Sequence, residues 1–211
     1  MKKNNNKTKR KDNQTVTDEQ LLQQYSQGNT EAFEELIRRY WRELYHFLYR
    51  FLGDKMLVED VFQETFLQLH LSAGQFDYSK RLKPWLFTIA ANKAKDALRK
   101  KARQKASELD AEIANQEEQA VRFVDIMPSD LPSPDETIEN QEISSIVQSI
   151  VQEMPENLRE VLILSYFHDF AYKDIAEILG VPLGTVKSRL HAAVKDFARR
   201  WWSAYRKRRN G

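Results

Sequence analysis

Cysteine is absent from this 211-residue chain, which removes disulfides, thiolate metal sites and cysteine nucleophiles from consideration. No stretch approaches the roughly 20 apolar residues that a membrane span requires, so direct membrane insertion is not expected. The basic N-terminus is not followed by an apolar segment, as a secretory signal would be. Without a signal or cysteine, the expected compartment is the cytoplasm. No segment alternates apolar and polar residues over the length of a strand, and no internal repeat is evident. The four histidines (His46, His70, His168, His191) and the acids fall at no recognisable catalytic spacing. No catalytic residue, metal ligand or cofactor is therefore expected, and an enzyme ranks third among the function classes.

What is present is charge, unevenly placed. Charged residues make up 30% of the chain, yet the formal net charge is only +2. Residues 1–15 carry Lys2, Lys3, Lys7, Lys9, Arg10 and Lys11 against Asp12 alone. Residues 105–156 hold Lys105 and Arg122 against thirteen acids, and from residue 157 the balance is basic again. A basic, acidic, basic layout points to separate modules with separate partners.

Periodicity divides the chain in the same way. Residues 1–16 read as a disordered basic tail, either solubilising or brushing nucleic acid non-specifically. Thr17-Asp18-Glu19-Gln20 has the form of a capping box. Helical periodicity then runs to about residue 104, with breaks at Gly28-Asn29, Gly53-Asp54 and Ser72–Arg81. Residues 105–134 form an acidic linker that ends in Asp130-Leu131-Pro132-Ser133-Pro134. A second helical unit over 135–211 breaks at Pro155. The expected fold is all-α: two small helical domains, 17–104 and 135–211, on a flexible acidic linker.

The second unit ends in a helix-turn-helix pattern. Tyr172–Leu179 stops at Gly180, suited to a left-handed cap, and Pro182 forbids simple continuation. Leu183 opens a second helix whose residues Leu183, Val186, Leu190, Val194 and Phe197 are expected inward. Gly184, Lys187, Ser188, His191 and Lys195 fall on an outward face, small, cationic and hydrogen-bonding, that suits a major groove. The competing reading is an ordinary solvated face, which Pro182-Leu183-Gly184-Thr185 at the turn weakens.

Two features mark the first unit. The helix Leu57–Leu71 turns Val58, Val61, Phe62, Phe66 and Leu69 inward, leaving Asp60, Gln63 and Glu64 on one outward face. That face reads as an acidic docking surface for a basic partner, or as plain solvated surface. Further on, Asn92, Asp96, Arg99, Lys100 and Arg103 line one stripe of a helix, with Leu86, Ile89 and Ala97 turned inward. Phe76, Tyr78 and Trp85 border the stripe, with Lys80 and Arg81 between them. Cations that hold phosphate beside rings that stack on bases suit single-stranded DNA, although Phe76 and Trp85 are individually good core residues.

In this order the motifs resemble a bacterial RNA polymerase sigma factor of the two-domain extracytoplasmic-function group, over about residues 18–104 and 135–200. Val58–Phe66 resembles the family's polymerase-docking helix. Lys83–Asn92, with Asp96 and Arg99, resembles its promoter-melting and downstream-element segment. Tyr172–Leu190, with Gly184-Thr185-Val186-Lys187-Ser188-Arg189-Leu190, resembles its upstream-element helix. The resemblance implies a non-enzymatic factor that binds core RNA polymerase and promoter DNA and initiates transcription at a dedicated, stress- or envelope-responsive regulon. It also implies an anti-sigma partner.

By the same resemblance, Asp60, Gln63 and Glu64 dock on polymerase. The loop Ser72–Arg81, with Phe76, Tyr78, Lys80, Arg81 and Trp85, captures an unstacked base, while Asn92, Arg99, Lys100 and Arg103 hold the strand. Lys187, Ser188 and His191 read the upstream element beside Gly184, with Thr185, Arg189 and Lys195 on phosphate. Ala192 and Val194 depart from the family's more basic pattern, and His70 stands where tryptophan is common, which leaves that part of the core undefined by the sequence. Trp201-Trp202 is expected to pack back on its domain. The alternative reading is a stand-alone helix-turn-helix regulator with a helical sensory or dimerisation domain in front.

In the family the linker threads a polymerase channel, where acids mimic nucleic-acid charge. Reversing Glu108, Asp110, Glu112, Glu117 and Glu118 to lysine is expected to weaken transcription by the holoenzyme without unfolding either domain. Run-off assays beside a circular dichroism melt check this, and undiminished transcript would refute it.

Overall fold

The computed structural model describes residues 16–108 and 138–209. Most of the tail and of the linker, residues 1–15 and 109–134, therefore lies outside the described residues, as do the first residues expected in the second unit. Eight helices are described: α1 (Asp18–Ser26), α2 (Thr30–Leu52), α3 (Lys55–Ser72), α4 (Leu82–Glu108), α5 (Ile138–Glu153), α6 (Glu156–Tyr166), α7 (Tyr172–Leu179) and α8 (Leu183–Arg209). One 3-10 turn, Ala73–Gln75, follows α3, and no strand occurs among the described residues.

Local chemistry sets the boundaries. Thr17 and Gln20 form the reciprocal capping box at α1, with bonds of 3.2 and 2.9 Å. Asn29 caps α2, and Asp54 caps α3 by accepting from Met56 and Leu57. Gly53 ends α2 and Gly180 ends α7 in the left-handed region, at φ 71° and 63°. That conformation favours glycine because it crowds a Cβ against the backbone. α4 runs four residues past the expected domain end at 104 and takes in the start of the expected linker.

Burial follows the helical period. α2 turns Leu36, Tyr40, Leu44, Phe47, Leu48 and Phe51 inward, and α3 adds Val58, Val61, Phe62, Phe66 and Leu69. Leu86 is buried on α4, but Ile89 and Ala97 are only half-buried, and Ala90 and Ala94 fill the inward positions. On α8 the buried stripe is Val186, Leu190 and Ala193, with Phe197 at its edge. Leu183 and Val194, expected inward, are exposed. At about 100° per residue they lie roughly 60° and 80° from Val186 on the same flank, outside the contact. Trp201 packs back, half-buried and stacked on Phe197, whereas Trp202 is 57% exposed.

The two halves are not separate beads. Their buried side chains form one continuous core. Phe170, between α6 and α7, meets Phe87 of α4 at 4.9 Å between ring centroids, and His168 meets Phe47 of α2 at 5.8 Å. Arg50 lies over the Phe167 ring at 4.1 Å. Polar atoms close the joint: the Arg159 guanidinium donates to the Phe51 carbonyl at 2.7 Å, and the Gln152 amide donates to that of Arg50 at 2.6 Å.

A Cβ on Gly53 would lie 2.6 Å from the Gln152 side chain while holding a positive φ. Gly53→Ala is therefore expected to lower stability by about 1–2 kcal/mol, read as a shift in the urea midpoint at unchanged slope.

Candidate docking and nucleic-acid interfaces

Asp60, Gln63 and Glu64 share the outward side of α3, and they are the rim of something larger. They line a groove of about 470 Å³ between α2 and α3 with Phe33, Ile37, Phe66, Leu67 and His70. Its floor is aromatic: Tyr25 stacks on Phe33 at 4.5 Å, and Phe33 meets Phe66 edge-on at 6.3 Å. Leu67 is 58% exposed on the wall. His70, which stands where tryptophan is common in the family, is exposed and hydrogen-bonds the Tyr25 hydroxyl. Glu64 is contacted by Lys93 of α4 at 3.4 Å. The apolar floor was not legible from α3 alone, because Phe33 and Ile37 come from α2. An acid-rimmed apolar trough of this kind accepts a basic amphipathic helix.

The loop between α3 and α4 is held in shape by Asp77. Its carboxylate accepts from the Ser79 amide at 3.0 Å and hydroxyl at 2.7 Å, and these bonds keep it below the usual aspartate range. Phe76 is buried against Trp85, with ring centroids 4.9 Å apart. It is a core residue that supports the loop and has no face open to a base. Tyr78 stands edge-on to Phe76 at 5.2 Å and is 43% exposed, while Trp85 is half-buried. Arg81 pairs with Asp174 and Lys80 approaches Glu177 at 3.7 Å, both acids on α7.

Along α4, Asn92, Asp96, Arg99, Lys100 and Arg103 are all exposed, as their spacing requires. Asp96 lies 3.0 Å from Arg99, an exposed i, i+3 pair of the kind that adds little stability. The intervening cations turn elsewhere: Lys95 approaches Glu160 of α6 at 3.6 Å, and Lys101 reaches the α3-capping Asp54 at 2.6 Å.

On α8, Gly184, Lys187, Ser188, His191 and Lys195 are exposed on one face. Two further residues are differently placed. Thr185 is half-buried and its carbonyl accepts from the Ser188 hydroxyl at 3.0 Å. Arg189 is half-buried and lies 3.1 Å from the buried carboxylate of Glu160. That arginine is committed to holding α8 on α6, so its reach toward phosphate is limited. Burial pushes Glu160 above the usual glutamate range, and Lys95 and Arg189 only partly offset this. Among the described residues, no group of His, Asp and Glu is arranged to hold a metal ion.

Comparison with known proteins follows the same division. Residues 36–104 match the family model for Sigma-70 region 2, and residues 144–197 that for Sigma-70 region 4. The ECF RNA polymerase sigma factor SigW of Bacillus subtilis is 31% identical over 170 residues, 81% of this chain and 89% of its own. The RNA polymerase sigma-H factor of Pseudomonas aeruginosa is 33% identical over 83% of this chain and 89% of its own. The ECF RNA polymerase sigma-E factor of Escherichia coli is 30% identical over 84% and 91%. In fold, the chain is similar to CnrH, solved with the cytosolic domain of CnrY, at a TM-score of 0.62 and 22% identity, over 86% of this chain and 95% of CnrH. It is also similar to the sigma factor RpoE of Bartonella quintana, solved with the anti-sigma factor NepR, at 0.61 and 22% identity, over 82% and 98%. Sequence kinship over four-fifths of the chain, with two matched regions in order, places this protein in the ECF group of RNA polymerase sigma factors.

Proposed function

We propose that the three surfaces divide the work of initiation. The α3 groove docks on core polymerase: Asp60, Gln63 and Glu64 meet cations at the rim, and Phe33, Ile37 and Leu67 take an apolar residue at the centre. The loop between α3 and α4 takes the downstream promoter element, with Tyr78 and the open side of Trp85 stacking on an unstacked base and Lys80 and Arg81 holding its phosphates. Asn92, Arg99, Lys100 and Arg103 carry the strand along α4. Gly184, Lys187, Ser188 and His191 enter the upstream major groove, with Lys195 and the edge of Thr185 on its phosphates. Residues 17–104 form the docking and melting domain and 135–211 the upstream-binding domain.

The observation that carries this reading is the acid-rimmed apolar groove on the same chain as a helix-turn-helix. A stand-alone regulator has no use for that groove. The protein acts as an initiation factor rather than an enzyme, in the cytoplasm where polymerase and promoters meet. Among the described residues no helix is long and apolar enough to cross a membrane. An anti-sigma factor is a further partner, on the precedent of the NepR complex, and the regulon is dedicated to stress or envelope signals.

Two outcomes are expected in pull-downs with core RNA polymerase and run-off transcription over a genomic promoter library. Asp60→Ala with Glu64→Ala weakens the complex about tenfold, a loss of roughly 1.4 kcal/mol. Lys187→Ala with Ser188→Ala leaves the complex intact and abolishes promoter selection. A wild-type chain that forms no stoichiometric complex would return the reading to a stand-alone regulator.

A further inference from the structure

The likeness to Sigma-70 region 4 stops at residue 197, yet α8 runs on to Arg209. No acid follows Asp196 in the sequence, while Arg199, Arg200, Arg206, Lys207, Arg208 and Arg209 are cations. Arg199 and Arg200 are drawn back to Asp196. Of the aromatic rings here, Trp201 stacks on Phe197 and packs inward. Trp202 and Tyr205 do not: they are 57% and 48% exposed and meet edge-on at 6.0 Å. Arg206 beside them is exposed as well. Eighteen residues make about five helical turns. Trp202 therefore stands on the same side of α8 as Gly184, Tyr205 as Lys187 and Arg206 as Ser188. The exposed rings continue the reading face rather than open a new one.

Side-chain size changes along that face as a straight helix crossing a round duplex requires. Gly184 and Ser188 are small where the backbone comes closest, and Trp202 and Arg206 are long where the helix has moved away. At 1.5 Å per residue, Trp202 lies about 16 Å and Arg206 about 22 Å beyond His191, more than the ~12 Å width of the major groove. They are past the groove's edge, where the duplex offers sugar and phosphate rather than base edges. The chemistry suits that target. An indole N–H and a phenol O–H donate from rings whose faces can lie on deoxyribose, and a guanidinium pairs bidentately with phosphate.

We propose that the end of α8 is a second, sequence-independent contact with duplex DNA, in which Trp202, Tyr205 and Arg206 hold the sugar–phosphate backbone flanking the upstream element. Lys187, Ser188 and His191 choose the element, and the extension adds affinity without adding preference. The occupant is duplex because the surface continues a duplex-reading face; an anionic membrane would match its charge alone. This inference rests on the assignment of the α8 face to the upstream major groove.

Trp202→Ala, Tyr205→Ala and Arg206→Gln are combined in the full-length chain. All three side chains are exposed, so the variant folds and its thermal melt is unchanged. Binding to a mixed-sequence duplex of about 30 base pairs is titrated between about 50 and 200 mM salt, beside binding to phosphatidylglycerol vesicles. The triple variant is expected to bind the duplex about tenfold more weakly, with a log–log salt slope flatter by about 1. The two ring substitutions alone give about threefold of that loss at unchanged slope. Arg38→Gln, an equal loss of charge on α2, changes affinity by less than about twofold. An iron chelate attached at Ser203→Cys, unique because the chain lacks cysteine, cuts the bound duplex, and one attached at Glu34→Cys does not.

Unchanged duplex affinity in the triple variant overturns the proposal, and loss of vesicle binding in its place assigns the rings to a membrane. An effect matched by Arg38→Gln also overturns it, since general charge would then account for the binding. The reading face is tested separately by Lys187→Ala with Ser188→Ala. Promoter selection that survives that pair refutes the reading, whereas a null result confined to the ring variants refutes the extension alone.

Discussion

The placement of the second half depends on one side chain. Arg159, near the start of α6, donates at 2.7 Å to the Phe51 carbonyl at the end of α2, and at 2.7 and 3.0 Å to the Gln152 and Met154 carbonyls at the end of α5. Helix C-termini leave carbonyls without partners, and here a single guanidinium serves two of them. Its planar fork fixes the angle between the helices it joins, which a flexible ammonium would not do. Burial holds its pKa below the usual arginine value, a penalty the three carbonyls offset. From that anchor α6 takes its direction, and α6 presents Glu160 to α8 and to α4.

Carboxylates inside the joint are handled by pairing rather than by exclusion. Glu43 of α2 lies 2.6 Å from Lys83 and 3.5 Å from His168 Nδ1. Burial acts to raise its pKa, but the two partners outweigh burial and leave it below the usual glutamate range. Glu160 is the reverse case, buried more deeply and left above its usual range. The His168 ring is packed among Phe47 and Phe87, with Nδ1 turned toward Glu43. The joint is thus an apolar contact with charges set at its margin, which resists dissociation less than a fully apolar core of the same extent.

Local chemistry was legible in the sequence wherever one residue type decides the outcome. Gly180 and Pro182 bracket the turn between α7 and α8, and Thr17 with Gln20 opens α1, because left-handed φ, a missing amide and a reciprocal cap each depend on neighbours in the chain. The groove floor and the joint were not legible. Phe33, Ile37 and Leu67 come together from different helices, and Arg159 meets Phe51 across 108 positions. Nothing in local periodicity distinguishes such an arginine from a solvated one. For Phe76 the sequence left two readings, base-stacking ring or core residue, and its burial against Trp85 selects the core one. Leu183 and Val194 show the limit of the apolar stripe itself, since the contact with α6 and α7 is narrower than the run of apolar residues.

α8 continues without interruption from the reading face at Lys187 to Arg209, past the Arg200 pair with Glu153 of α5. Twenty-seven residues make a rod of about 40 Å at 1.5 Å per residue. Such a rod is a lever: a tilt of about 10° at the groove end sweeps the far end through roughly 7 Å. Trp202 and Tyr205, exposed near that end and in edge-on contact at 6.0 Å, sit where the sweep is largest. Whatever grips those rings constrains the angle at which Ser188 and His191 meet the base edges, with mechanical advantage on its side.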